Sequence, residues 1–224
     1  MLKLTTLALA ATLTAGAAQA ITLTFDERNF AGGDIVTSFS KGGISGTVTA
    51  TGGSGQAMIF DSRVLSGEDA DLVAPFYKRF DANGIPNTIR GVSHPKNLLI
   101  ISEDGDQSDP DDNADGGTIT FVFDQLVDFA SFRVFDDVDN FVVRSDKDHR
   151  SAPITLDYNN QWAKVNTGFI GVKSLTFDFG SASGAIDNLK LTPSIVPVPA
   201  ALPLLLAGVG ALGFAGRRKR SKSA

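Results

Sequence analysis

The 224-residue sequence predicts an all-β domain, a two-sheet β-sandwich of the jelly-roll kind, framed by two targeting segments. Three observations predict it. Thr118-Ile119-Thr120-Phe121-Val122-Phe123 and Ser174-Leu175-Thr176-Phe177-Asp178-Phe179 alternate with a period of two, which sends Phe121 and Phe123, or Phe177 and Phe179, to one face of an extended strand. Clusters of Gly, Asp, Asn and Ser divide the body of the chain into short runs. No stretch of that body sustains the 3.6-residue period of an amphipathic helix.

Taken in order, the chain opens on Lys3, an apolar run over residues 4–15 and the small-x-small pattern Ala18-Gln19-Ala20. That is the grammar of a secretory signal peptide over residues 1–20, and its apolar run falls short of the roughly 20 residues that span a bilayer. The body, residues 21–193, then shows about eleven strand-like runs: 22–25, 45–50, 57–61, 97–102, 118–123, 129–135, 141–144, 154–158, 162–166, 174–179 and 186–191. Only residues 61–74 leave room for a helical turn. Of the 16 phenylalanines, all but Phe214 fall in this body and supply the inward side chains. No blade-length repeat recurs, which favours a layered sandwich over a propeller. With no cysteine, the fold holds in an oxidising compartment without disulfides.

Residues 195–216 carry no charge, and Leu202, Leu204, Leu205, Leu206, Val209, Leu212 and Phe214 make them one bilayer crossing long at about 1.5 Å per residue. Arg217, Arg218, Lys219 and Arg220 follow at once, a basic flank that stays in the cytoplasm and leaves the body outside. At the head of this uncharged stretch, before its leucines, stands Val196-Pro197-Val198-Pro199-Ala200, whose prolines hold the backbone extended beside the membrane. A Pro-containing signature, one apolar helix and an Arg-rich tail, in that order over residues 194–224, resemble the PEP-CTERM class of bacterial sorting domains in its VPLPA-CTERM variant. Val198 stands where that motif has leucine. The resemblance implies removal of residues 1–20 by signal peptidase and recognition in the inner membrane by an exosortase-type protease. Release near the Pro motif and delivery to the cell surface or extracellular matrix would follow. It implies an address, not an activity.

All 25 acidic residues lie in residues 21–193 against 14 Lys and Arg, a charge of −11. Such a surface repels nucleic acid and attracts cations. Seven of the acids, with no base, fall between Glu103 and Gly117, a density that calls for a bound cation or for screening by water. Asp104, Asp106, Asp109, Asp111, Asn113 and Asp115 are the candidate calcium ligands there. Asp109, Asp111, Asn113 and Asp115 take the first four ligand positions of an EF-type loop, but Ala114 replaces its glycine and Thr120 its bidentate glutamate, and no helices flank it. The expected site is therefore irregular. Glu68, Asp69 and Asp71, and Asp136, Asp137 and Asp139, are acidic turns that join the loop if the fold brings them together.

Ser66-Gly67-Glu68-Asp69-Ala70-Asp71-Leu72, Leu99-Ile100-Ile101-Ser102-Glu103-Asp104 and Ser183-Gly184-Ala185-Ile186-Asp187-Asn188-Leu189 resemble phrases of the β-sandwich ectodomains carried in front of such sorting signals, which are similar to carbohydrate-binding modules. In that family picture the terminal strands pair, which implies a structural calcium held by Asp26, Glu27 and Asp187 with Asn188. A glycan is a second candidate ligand. Trp162 and Tyr158 can stack on a sugar ring, and Asn159, Asn160 and Gln161 stand beside them, though a lone tryptophan in a sandwich is equally a core residue.

Catalysis is not expected. His94 precedes Pro95, and His149 lies in the charged turn Asp146-Lys147-Asp148 to Arg150. No G-x-S-x-G elbow, zinc-type His spacing or phosphate-cradling glycine loop is present. No carboxylate pair is singled out for glycoside hydrolysis, so a secreted hydrolase is the weakest alternative. The sequence thus describes an exported, non-enzymatic surface or matrix protein, calcium-stabilised and acting in adhesion or matrix structure, with a polysaccharide-binding module as the alternative.

Overall fold

The structure, a computed structural model, describes residues 19–27, 30–66, 69–78, 93–194 and 208–210. It is all-β. In order come β1 (Ile21–Leu23), β2 (Ser38–Lys41), β3 (Ile44–Thr51), β4 (Gln56–Asp61), the 3₁₀ turn η1 (Ala70–Leu72), β5 (Tyr77–Lys78), β6 (Asn97–Ser102), β7 (Gly117–Phe135), β8 (Val142–Ser145), β9 (Gln161–Gly180) and β10 (Ala185–Pro193). Residues 1–194 form one compact unit and residues 195–224 a second. Of the second, Gly208, Val209 and Gly210 are described, and they are helical. The signal peptide up to Ala18, the motif Val196 to Ala200, the rest of the expected span and the basic flank Arg217 to Arg220 lie outside the described residues. Among the described residues no helix is long and apolar enough to cross a membrane.

Two long strands organise the domain. The first half of β7 runs between β3, from Thr51↔Thr118 to Gly46↔Phe123, and the second half of β9, from Thr118↔Asp178 to Val122↔Ser174. The second half of β7 runs instead between β10, from Pro193↔Val127 to Ala185↔Phe135, and the first half of β9, from Phe129↔Phe169 to Phe135↔Trp162. β10 also pairs with β1 and β6, β6 with β4, β8 with the second half of β9, and β5 lies parallel to Gln161 and Trp162.

The alternating runs 118–123 and 129–135 are thus one strand, as are 162–166 and 174–179. The polar residues between them do not end the ladder; they bend it. Register shifts fall between Val122 and Val127 and again up to Ser131, the bulges by which a strand turns without stopping. Side chains pin the bend: Asp128 Oδ1 accepts from the Gly171 amide at 2.8 Å, and Thr167 Oγ1 donates to the Phe129 carbonyl at 2.7 Å. Gly168 and Gly171 take positive φ of 64° and 62° there, open to glycine at little strain.

Sequence alternation misses β2, because only Phe39 of Ser38-Phe39-Ser40-Lys41 is apolar. β2 exists through its hairpin with β3, closed by Gly42 and Gly43 at φ 56° and 80°, the positive values that a primed two-residue turn requires. The expected strand over 154–158 reduces to a single bridge, Phe141↔Ile154. The helical turn expected within 61–74 is η1.

The core has two parts. The larger gathers Phe25, Phe39, Phe121, Phe123, Phe129, Phe132, Phe141, Phe177 and Phe179, many of them edge to face, as Phe132 with Phe177 at 5.1 Å and 80°. Such pairs add about 0.5–1.5 kcal/mol each beyond area burial. The smaller packs Met58, Phe60, Leu72, Phe76, Phe135 and Trp162. Every residue of β6 is buried: Leu99 and Ile101 face the larger cluster, and Leu98 and Ile100 the smaller. A continuous apolar run is what a strand covered on both faces requires.

Candidate functional site

The loop after β6 is shaped by its own carboxylates. Asp104 Oδ1 accepts from the Asp106 amide at 2.7 Å, and Asp106 Oδ1 from the Ser108 amide and hydroxyl at 2.8 and 2.7 Å. These are Asx turns, in which short acids stand in for backbone partners. The two Ser108 bonds hold Asp106 below the ordinary carboxylate range. Asp109 Oδ1 accepts from Ser66 Oγ at 3.3 Å, Asn113 Nδ2 donates to the Gly116 carbonyl at 2.5 Å, and Asp115 is exposed. The alternating set Asp109, Asp111, Asn113 and Asp115 is therefore divided among separate tasks. Asp111 is the crowded member: burial first, then the charges of Asp104, Glu103 and Asp109, push its carboxyl up, and its Oδ1 is buried without a hydrogen-bond partner.

A second carboxylate cluster lies deeper. The bridge Ser102↔Asp112 and the bond from the Asn113 amide to the Ile101 carbonyl at 2.8 Å lay the loop along β6, which buries Asp112 to 5 % exposure. Its amide donates to Asp69 Oδ2 at 2.5 Å, and its own Oδ2 accepts from the Gly184 amide. Asp136 follows the last residue of β7 at φ 76° and is 1 % exposed. Its Oδ2 accepts from Ser183 Oγ at 3.0 Å, while its Oδ1 has no hydrogen-bond partner. Asp71 completes the group, held by Asn159 Nδ2 on its carboxylate at 3.0 Å and Asn160 Nδ2 on its carbonyl at 2.6 Å.

Burial dominates the electrostatics here, and mutual repulsion adds to it. Asp112 is pushed well above its ordinary value by burial, then by Asp69 and Asp136. Burial raises Asp69 to about 6, with Asp71 and Asp111 adding to it, and raises Asp136 to about 6, with Asp71 adding to it. After burial, the influences on these carboxyls are other carboxylates and hydrogen-bond donors, and among the described residues no Lys or Arg joins them. Spacing by twos along the loop selects Asp111 and Asn113 and skips Asp112, whose burial follows only from its pairing with β6. The acidic turns at Asp69, Asp71 and Asp136 are the part of this group that the sequence marks.

β1 pairs with β10 through Thr22↔Lys190 and Leu23↔Leu189, which brings Asp26 within electrostatic reach of Asp187. Burial pushes Asp187 to about 7, with Asp26 raising it further and Arg133 lowering it. Its Oδ2 accepts from Asn188 Nδ2 at 2.6 Å and its Oδ1 is unpartnered. Asp26 Oδ1 accepts from the Asn97 amide at 2.9 Å, and Glu27 is drawn to Lys41 at 2.6 Å. Among the described residues no three Asp, Glu or His side chains stand ready as a metal ligand set. An ion at either place therefore needs backbone carbonyls, water or a change of rotamer to complete the six to eight oxygens of calcium.

Trp162 packs in the smaller core at 9 % exposure with the Arg133 guanidinium 4.8 Å above its ring, so the ring face expected to meet a sugar is already occupied. Tyr158 is 61 % exposed. His149 stacks on Phe169 at 5.1 Å.

The chain matches no family model and no curated protein. The sorting-signal and carbohydrate-binding-module resemblances rest on the residues that carry them.

Proposed function

We propose that this chain is an exported, non-enzymatic surface or matrix protein whose body is stabilised by calcium held among Asp69, Asp71, Asp112 and Asp136. The observation that carries the reading is Asp136 Oδ1, a buried carboxylate oxygen with no partner amid three more acids. A buried charge without a counter-charge is costly enough that such groups are paired or bind metal. A hard divalent cation supplies the missing charge, and calcium tolerates the irregular oxygen set that magnesium's strict octahedron does not. Asp111, with Asp104 and Asp109 beside it, is the second place for an ion, and Asp26 with Asp187 the third.

The architecture we read is a jelly-roll-like sandwich. Its support is that β7 and β9 change partners midway while their phenylalanines meet Phe39 of β2 and Phe141, just ahead of β8, in one core. Export rests on Ala18-Gln19-Ala20, and sorting on Val196 to Ala200 with Arg217 to Arg220. Adhesion or matrix structure is the role that an acidic, cation-loaded surface module would serve.

The deciding experiment is a calcium titration of the full chain, followed by thermal unfolding with and without chelator. The expected result is a melting point several degrees higher with calcium, lost in Asp112→Asn and Asp136→Asn. A chain whose melting point ignores both calcium and chelator would remove the ion from this account.

A further inference from the structure

In a body with 25 acids, one groove is basic. Registers across four neighbouring strands bring Thr22 beside Lys190, Lys190 beside Ser131, and Arg133 beside Lys164. Ser131 and Arg133 share a face of β7, since period two sends Phe132 and Val134 to the other side, where both are buried. The groove, about 170 Å³ in volume, is lined by Thr22, Ser131, Phe132, Arg133, Lys164, Asn188 and Lys190. It has three cations, hydroxyl and amide groups, and no acid in its wall. Asp187, opposite Arg133 in the register, is buried and does not line it.

The cations differ in how they are held. Arg133 is fixed, its guanidinium over Trp162 at 4.8 Å and its Nη1 donating to Ser93 Oγ at 3.2 Å, which leaves most of its five N–H donors for another partner. Lys164 and Lys190 are exposed, and among the described residues neither is in an ion pair. The register shift between Asp187 and Lys190 sets Asn188 at φ 57° on the groove wall, as bulges re-aim side chains.

We infer that this groove between β1, β10, β7 and β9 binds the carboxylate of an acidic sugar, a uronate unit of a sparsely charged polysaccharide. Arg133 takes the carboxylate in the planar fork geometry that guanidinium favours. Lys164 and Lys190 add charge, and Thr22, Ser131 and the side-chain oxygen of Asn188, whose Nδ2 is held by Asp187, bond the sugar hydroxyls. Sparse charge follows from the rest of the surface. A polyanion as dense as nucleic acid would lay further charges on the acidic flanks, whereas the repulsion felt by a single carboxylate fades within about 8 Å at physiological salt. The site shares no residue with the cluster of Asp69, Asp71, Asp112 and Asp136, so the two readings stand or fall separately.

Trp162, the single tryptophan, lies against Arg133 and reports on it. The test titrates the full chain, in mild detergent at fixed calcium, with a xylotriose bearing one methylglucuronate. Unsubstituted xylotetraose and inorganic phosphate serve as comparisons. The expected result is a saturable change in Trp162 emission that weakens with salt. The dissociation constant should rise by about tenfold or more in Lys164→Gln/Lys190→Gln and recover in Lys164→Arg/Lys190→Arg, with melting points unchanged. No saturable response, an equal response to xylotetraose, or an unaltered constant in the Gln variant overturns the proposal. Displacement by phosphate at the same concentration as the uronate also overturns it, leaving a general anion site.

Discussion

Asp136 shows what one side chain does when its neighbours share its charge. Its carboxyl stands at about 6 instead of 3.8 because burial and Asp71 both disfavour the anion. In chelated protein the sign follows directly. Below 3.8 the group is protonated folded and unfolded alike, so the fold keeps its full stability. Between 3.8 and about 6 only the unfolded chain gives up the proton, and stability is lost as pH rises through about 6. For this one group the loss is on the order of 3 kcal/mol, at about 1.4 kcal/mol per unit. Melting curves of chelated protein at pH 5 and pH 8 should place the pH 8 midpoint lower, and calcium should close the gap by binding the ionised form. Asp136→Asn should narrow the same gap in chelator while abolishing the calcium response. An Asn variant as sensitive to pH and calcium as the parent would clear Asp136 of both roles.

At the scale of the element, a close backbone approach decides where β3 meets β7. A methyl group on Gly46 would meet the Val122 carbonyl oxygen and stand 3.0 Å from the Phe123 Cα and from the Phe39 ring. None of these is the free end of a flexible side chain. Gly46→Ala should therefore lower stability by about 1–3 kcal/mol, as overpacking does, readable as an earlier urea midpoint at an unchanged slope. The bends in β7 and β9 belong to the same scale. Alternation on either side of residues 124–128 was legible, but continuity through them was not. Asp128 and Thr167 look like turn residues until each is seen bonding across to the partner strand.

For the whole molecule, stability rests on the phenylalanine network rather than on disulfides. Phe177 meets Phe121, Phe129, Phe132 and Phe141 at centroid separations of 5.6, 5.9, 5.1 and 6.4 Å. Phe177→Ala should cost about 3–5 kcal/mol, a large part of the 5–15 kcal/mol that holds a typical domain, and should appear as unfolding near ambient temperature. The ends of the chain carry a different prediction. Neutral replacement of Arg217, Arg218, Lys219 and Arg220 should leave the β domain's melting point alone and impair membrane retention or processing, followed by fractionation of the precursor. Unaltered maturation would count against the sorting reading.

The sequence by itself determined that this chain is β, because period-two alternation, glycine punctuation and sixteen phenylalanines are local properties that no later contact reverses. It also determined the acidity of the body, since net charge needs no fold to be known. Which acids lose their water was decided only by tertiary structure. Asp104 and Asp106 bond to their own turns, whereas Asp112 is drawn along β6 toward Asp69 and Gly184, residues 43 and 72 positions away in the chain. Burial of a carboxylate is a property of what covers it, and here the cover comes from segments far apart in the chain.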